Sequence, residues 1–418
     1  MTERLIYKKS YLLLLTLFLF GFTLIGCDKT PKEKDTIPPL LTVYETTIKI
    51  RIGEPLDLMQ GVTGLDNVEG DITNRITIDQ SNFNPNQPGT YTVIYYLVDK
   101  DGNSATPVTR TIIIIGDQQI EDYQLYTEEI AGEKLPQAQN CFPGAWYHKV
   151  VSSKDYWRGI VGVITLPTYT LDEARFQNGR YLDNPSIYMG GNAGSESDAG
   201  LSLSLAQLKN GSISTYSMVY RPFWRYITTI NKDEGGYSEH NGEYAVSCTG
   251  NNCYGNWHYK NTEYYYLPGD TIKMMVYSPK ENYLQLVIDV ISVSTIPEVV
   301  NLRKTNGWND PKSFISPMFY SGGHGRTPAE FKRVNAIDQV ANEGKPAQAT
   351  AAVVENAVWK EAYLLRNISG QMYRVPFVTS RQYRLSCPST DAFVITATDQ
   401  QTLMGGETVS ILPRRKEN

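Results

Sequence analysis

Basic clusters are scarce in this chain. After Lys9 no long run of lysine or arginine occurs, and the net charge over 418 residues is −5. A nucleic-acid surface needs clustered cations to neutralise phosphates and release counterions, so no nucleic-acid partner is expected. Histidine numbers only four: His148, His240, His258 and His324. They are too scattered to spell a catalytic triad in sequence, and His324, within SGGHG, reads as a turn residue. Phosphate loops of the G-x-x-x-x-G-K-[ST] type, H-E-x-x-H zinc helices, G-x-S-x-G elbows and glycine-rich dinucleotide fingerprints are all missing. Phosphoryl transfer, zincin proteolysis and nucleotide binding therefore lose their usual signatures. Low complexity is excluded too, because 11% aromatic and 20% charged residues fit an ordinary folded chain. The length predicts two or three domains, and 29 Tyr with 33 Gly and 22 Pro favour short strands and turns over helical bundles.

The N-terminus carries an address. Arg4, Lys8 and Lys9 precede an uncharged apolar run from Tyr11 to Ile25, the layout of a secretory signal. That run is short of the ~20 residues a membrane span needs, although a plain anchor stands as the alternative. It ends in Leu24-Ile25-Gly26-Cys27, which resembles the bacterial lipobox. The resemblance implies cleavage before Cys27, lipidation of that thiol, a membrane as partner, and an extracytoplasmic chain of 418 − 26 = 392 residues. Four cysteines remain for an oxidising compartment. Cys248 and Cys253, among turn formers, are expected to close a hairpin, which leaves Cys141 to join Cys387. A rival reading makes Cys248, Cys253, His258 and His240 zinc ligands. No cofactor or metal is assigned.

Residues 27–37 read as a flexible charged tether. From Pro38 the runs LTVYETTIKI, YTVIYYLV and VTRTIIII are β-branched or aromatic, broken by turn formers. In the second, Tyr91, Val93, Tyr95 and Leu97 share a face. Asp66-Asn67-Val68-Glu69-Gly70-Asp71-Ile72-Thr73, then Pro88-Gly89-Thr90-Tyr91-Thr92-Val93, then Val98-Asp99-Lys100-Asp101-Gly102-Asn103 occur in this order. Together they resemble the bacterial immunoglobulin-like domain of pesticidal crystal proteins and many surface proteins. That resemblance implies a β-sandwich over 38–116 used as a spacer or adhesive unit, with a tyrosine corner at Tyr91. Its acids Asp66, Glu69, Asp71, Asp99 and Asp101 either gather a calcium ion or shape turns by accepting nearby backbone N–H groups.

A polar linker is expected over 117–140. From Cys141 to the C-terminus, ten strand-like runs predict a large antiparallel sandwich or jelly roll, making the whole chain all-β. Only ATAAVVENAVWKEAYLL, residues 349–365, offers a helix. SIYMGGNAGSESDAGLSLSL, MVYRPFWRYI, LPGDTIKMMVY, NYLQLVIDV and Arg326-Thr327-Pro328-Ala329-Glu330-Phe331 follow one another. This series resembles the glutamic peptidases (eqolisins), whose fold is a concanavalin-like β-sandwich. The resemblance implies Glu330 as the catalytic acid, and places Asp198 where that family carries glutamine. An ionised aspartate accepts but cannot donate to an oxyanion, so activity would require Asp198 and Glu330 to share a proton as a carboxylate pair.

In YSMVYRPFWRYI alternation sets Tyr220, Trp224 and Tyr226 on one face and Arg221, Phe223 and Arg225 on the other. The first three are core residues or a stacking surface for ligand. Tyr265 must face opposite to Tyr264 and Tyr266, so the three are not expected to be entirely core. Three functions remain: a surface protein displaying a glycan- or peptide-binding sandwich on a spacer, an acid hydrolase acting through Glu330 and Asp198, or a purely structural module.

Overall fold

A computed structural model describes residues 34–51, 56–85, 89–115, 123–227, 237–240 and 242–413. The expected signal segment, Cys27 and most of the tether lie outside these residues. The chain divides into two compact units at residues 118 and 119.

The first unit stacks a three-stranded sheet (Leu40–Val43, Val62–Asp66, Gly70–Asp71) on a four-stranded one (Thr47–Arg51, Val108–Ile115, Gly89–Tyr96, Thr77–Asp79). Alternation buries Val93, Tyr95 and Leu97 with Ile112 and Ile114 between the sheets. The Tyr95 hydroxyl donates to the Leu58 carbonyl at 2.7 Å, and Tyr91, where the corner is expected, packs edge-on against Phe83. Arg110 is fully enclosed and donates to the carbonyls of Glu45, Leu58 and Gln60. The acidic side chains accept turn N–H groups: Asp66 from Val68 and Glu69, Asp71 from Thr73, and Asp99 from Asn103; Asp35, Asp66 and Asp99 also bring one carboxylate oxygen each within 4.8 Å of one another.

In the second unit two large sheets enclose one core. The nine-stranded sheet runs Tyr237–His240, Tyr244–Thr249, Asn252–Trp257, Ile213–Ile227, Glu196–Gln207, Asp183–Asn192, Glu330–Gln339, Ala145–Ser152, Gln382–Cys387. The eleven-stranded sheet is built around Thr271–Tyr277, Trp157–Thr165 and Val353–Ile368. Ile187, Met189, Leu201, Trp224 and Phe331 from the first meet Ile160, Met274, Leu286, Trp359 and Leu364 from the second.

Several expectations need correction. Residues 123–135 do not link the units but belong to the larger one: Gln124–Leu125 pairs with the Gln371–Pro376 strand, and Glu133 binds Arg381 at 3.0 Å. The segment offered as a helix is the Val353–Ile368 strand, whose alternate residues pack into the core. The longer of the two α-helices among the described residues, Pro297–Asn306, has Pro297 in its first turn and Gly307 as a left-handed cap. It covers a small cluster in which Tyr265 packs against Trp308, so Tyr265 does face away from Tyr266 yet is buried too. Cys141–Cys387 and Cys248–Cys253 form the two disulfides, which removes the zinc reading; His240 stacks on Tyr244 instead.

Candidate functional site

Along the Glu330–Gln339 strand successive side chains face opposite ways. Phe331, Arg333, Asn335 and Ile337 turn into the sandwich; Glu330, Lys332, Val334, Ala336 and Asp338 turn outward. The neighbouring strand sets Gly190 opposite Lys332 on one side and Asp198 on the other, and Asn192 between Glu330 and Glu196. Four charged groups thus meet on one face. Gly190 makes their meeting possible, because a Cβ there would lie 2.5 Å from Asp198 Oδ1. Across that gap Lys332 Nζ binds Asp198 at 2.7 Å and also pairs with Glu196. Burial opposes the ammonium, but the two carboxylates outweigh it and raise the Lys332 pKa; Lys332 in turn lowers that of Glu196. Lys149, on the same face, is pulled down by burial and then by Lys332.

This geometry corrects the proposed carboxylate pair. Two strand spacings of about 4.8 Å separate the strands of Glu330 and Asp198, and the Lys332 ammonium occupies Asp198. A carboxylate held by a cation has no tendency to share a proton with another. Glu330 itself is half-buried.

The middle of the outward face carries its own cover. Phe142 stacks on Tyr147 with ring centroids 4.0 Å apart, its N–H donates to the Tyr147 hydroxyl, and the Cys141–Cys387 disulfide ties it to the edge strand. Beyond the cover, Arg225 binds Glu343 at 2.9 Å. Asp338 accepts from Ser186 Oγ at 2.5 Å, and burial pushes its carboxyl up to about 6, with Asp198 and Glu343 reinforcing the rise.

At the other end of these strands a cleft of about 280 Å³ opens. Leu203, Leu205, Ile213 and Met218 give it apolar walls, Asn184, Ser204 and Tyr259 polar ones, and Arg180, Arg221 and Asp183 carry its charges. A bulge shapes its rim: Leu205 pairs with Met218 but Ala206 with Ser214, so residues 215–217 loop out of register. Ser214 Oγ fixes the bulge by accepting from the Tyr216 and Ser217 N–H groups. Tyr216 is left 82% exposed, with its ring against Phe176, which packs edge-on against Tyr181 in the cleft wall. Arg221 donates to the Trp257 carbonyl at 2.5 Å, while its Nε has no partner. Burial lowers its pKa, and among the described residues no carboxylate forms an ion pair with it.

The aromatic strand divides as alternation predicts, but with the roles reversed. Tyr220, Trp224 and Tyr226 are buried core residues, so none is a ligand surface. Gly255 makes room for Trp224, since a Cβ there would lie 2.2 Å from the indole. Arg221, from the opposite face, reaches the cleft. Tyr216 was missed because only tertiary pairing reveals the bulge. His324 lies in a turn, as its SGGHG context indicates, and that turn is enclosed: its Nδ1 meets Ser321 Oγ at 2.8 Å, Ser321 meets Ser197 at 2.7 Å, and burial holds its pKa down at about 4.

The sequence profile of the family described as bacterial surface protein, Ig-like domain, matches residues 44–114. Among solved structures the chain is similar to scytalido-glutamic peptidase with a peptide-based transition-state analogue, at 8% identity and TM-score 0.33, covering 65% of this chain and 100% of that one. It is similar to a lipoprotein from Bacteroides thetaiotaomicron at 11% identity and TM-score 0.18, covering 71% and 98%. A third similarity, at 12% identity and TM-score 0.17, is to the CBM51-2 and INT domains of a Clostridium perfringens protein in complex with GlcNAc, covering 73% and 49%. No curated protein matches the sequence.

Proposed function

We propose that this chain is a lipid-anchored bacterial surface protein, tethered through Cys27, whose larger β-sandwich binds an extracellular glycan or peptide in the cleft beneath Tyr216. The Ig-like unit serves as the spacer. One observation carries the binding reading: a β-bulge, pinned by Ser214 between the cleft-lining Ile213 and Met218, holds a mostly exposed tyrosine whose ring lies against Phe176, beside Tyr181 of the cleft wall. An aromatic ring left in water gains nothing for the fold, whereas a fixed ring beside a concave apolar surface provides contact area to a ligand at little entropic cost. Against a hydrolase centred on Glu330 stands the Lys332–Asp198 ion pair, which deprives Glu330 of its expected partner.

Two measurements test the proposal. Glycan and peptide arrays probed with the full chain should give signals that Tyr216→Ala and Ile213→Asp remove without changing the circular dichroism spectrum; an unchanged array profile removes the cleft from function. Fatty-acid labelling in a bacterial host should disappear in Cys27→Ala, and persistent labelling would place the lipid elsewhere.

A further inference from the structure

The cleft has a charge imbalance that the binding reading does not explain. Its one carboxylate, Asp183, is already neutralised: Arg175 Nε binds it at 2.7 Å and Thr350 Oγ1 donates to it at 2.6 Å. Arg221 has only a neutral carbonyl as acceptor and an Nε without partner, and exposed Arg180 adds a second cation at the mouth. A guanidinium withdrawn from water without a counter-charge costs free energy that an anion would recover. A planar carboxylate is the natural complement of a guanidinium fork. Leu203, Leu205, Ile213 and Met218 offer apolar contact for a large side chain, and beside them Asn184 Oδ1 is a buried acceptor without a partner, placed to take a peptide N–H. A volume of about 280 Å³ matches one large side chain rather than a length of polymer.

We infer that the cleft captures the free C-terminus of a peptide ending in a large apolar residue, its carboxylate against Arg221, its side chain between the aliphatic walls, and Tyr216 closing over the ring. This rests on the reading of the cleft as a binding site and narrows its ligand.

Fluorescence anisotropy with the full chain tests it, using a dye-labelled pentapeptide that ends in phenylalanine, as the free acid and as the amide. The acid should bind at least about tenfold more tightly, the scale of one charge-assisted contact. Arg221→Gln should erase the difference, Arg221→Lys should keep part of it, and Arg180→Gln should weaken the acid only at low salt. Should Arg221→Gln fail to fold, the acid-to-amide ratio of the unaltered chain and the Arg221→Lys variant still decide. Equal affinities for acid and amide, both lost in Tyr216→Ala, overturn the carboxylate inference while leaving the binding site standing. A glucuronate-containing disaccharide that displaces the probe more strongly than the unlabelled acid also overturns it, in favour of an acidic glycan. No binding of either peptide or the disaccharide at millimolar concentration, with array signals indifferent to Tyr216→Ala, overturns both readings.

Discussion

Lys332 and Arg333 are consecutive residues of one strand, and each is a buried cation bound to carboxylate, yet their surroundings differ in kind. Arg333 points into the sandwich, where its Nη1 donates to Glu407 Oε1 at 2.5 Å; Arg384 holds Oε2 at 2.8 Å, and His148 approaches Oε1 at 3.0 Å. Glu407 is wholly enclosed. Burial would raise its pKa, but Arg333, His148 and Arg384 outweigh that and hold it well below the carboxylate range. Lys332 points outward to Asp198 and to a Glu196 whose side chain is half exposed. Within the inner cluster Arg333 and Glu407 are sealed from water and only Arg384 reaches it, whereas the outer pair opens to solvent through Glu196. The inward pair is therefore the one whose loss solvent cannot make good.

The sharpest way to break this comparison is to remove one carboxylate from each side. Glu407→Gln should cost about 3–5 kcal/mol, because the Arg333 guanidinium loses its counter-charge inside the core, whereas Glu196→Gln should cost under about 1 kcal/mol. Urea unfolding of both variants measures the ratio, and similar losses would mean that the two faces are equivalent. Aromatic truncations extend the contrast. Trp224→Ala should destabilise by about 3–5 kcal/mol through the cavity it leaves, while Tyr216→Ala should leave the unfolding midpoint nearly unchanged and alter only ligand binding. A Trp224→Ala chain that is fully stable would place that indole on a free surface.

Lys332→Met should fall between these limits, at about 1–3 kcal/mol, since Asp198 is left largely buried with its cation gone. Reverting the imbalance with Asp198→Asn in the same chain should recover part of the loss. A double-mutant cycle that gives no coupling energy would dissolve the pair as a structural unit.

Much of this contrast was readable in the sequence, and its limits are physical. Alternation separated Tyr220, Trp224 and Tyr226 from Arg221, Phe223 and Arg225, because the strand period of two needs no tertiary information. Which set would be enclosed depended on the second sheet, assembled from segments such as Thr271–Tyr277 and Val353–Ile368 far along the chain. Likewise Asp198 and Lys332 meet only because an intervening strand sets Gly190 between them. The Pro297–Asn306 helix was within reach, with Pro297 and Gly307 bracketing it. The 349–365 segment misled because its alanines and glutamates favour helix while its Val353, Val354 and Val358 favour a strand, and burial decided for the strand.

Asp338 yields the most specific effect. Its carboxyl titrates at about 6 in the folded chain against an ordinary 3.8, so the folded state binds that proton more tightly than the unfolded state. The stabilisation is fully present below the ordinary value and is lost as pH rises through about 6. Glu196, lowered by Lys332, has the opposite sign: its contribution holds above the ordinary glutamate value and is lost as pH falls through its depressed one. Asp338→Asn fixes the neutral form, so the melting temperature of the variant minus that of the parent should rise between pH 4 and pH 7.5. A difference constant across that range would show that Asp338 does not titrate there. The same titration with saturating ligand asks whether the outward face acts as one unit. Asn184, which lines the Arg221 cleft, is the cross-strand partner of Asp338, so an anion seated in that cleft should move the Asp338 midpoint further up, and an unmoved midpoint would place the anion elsewhere.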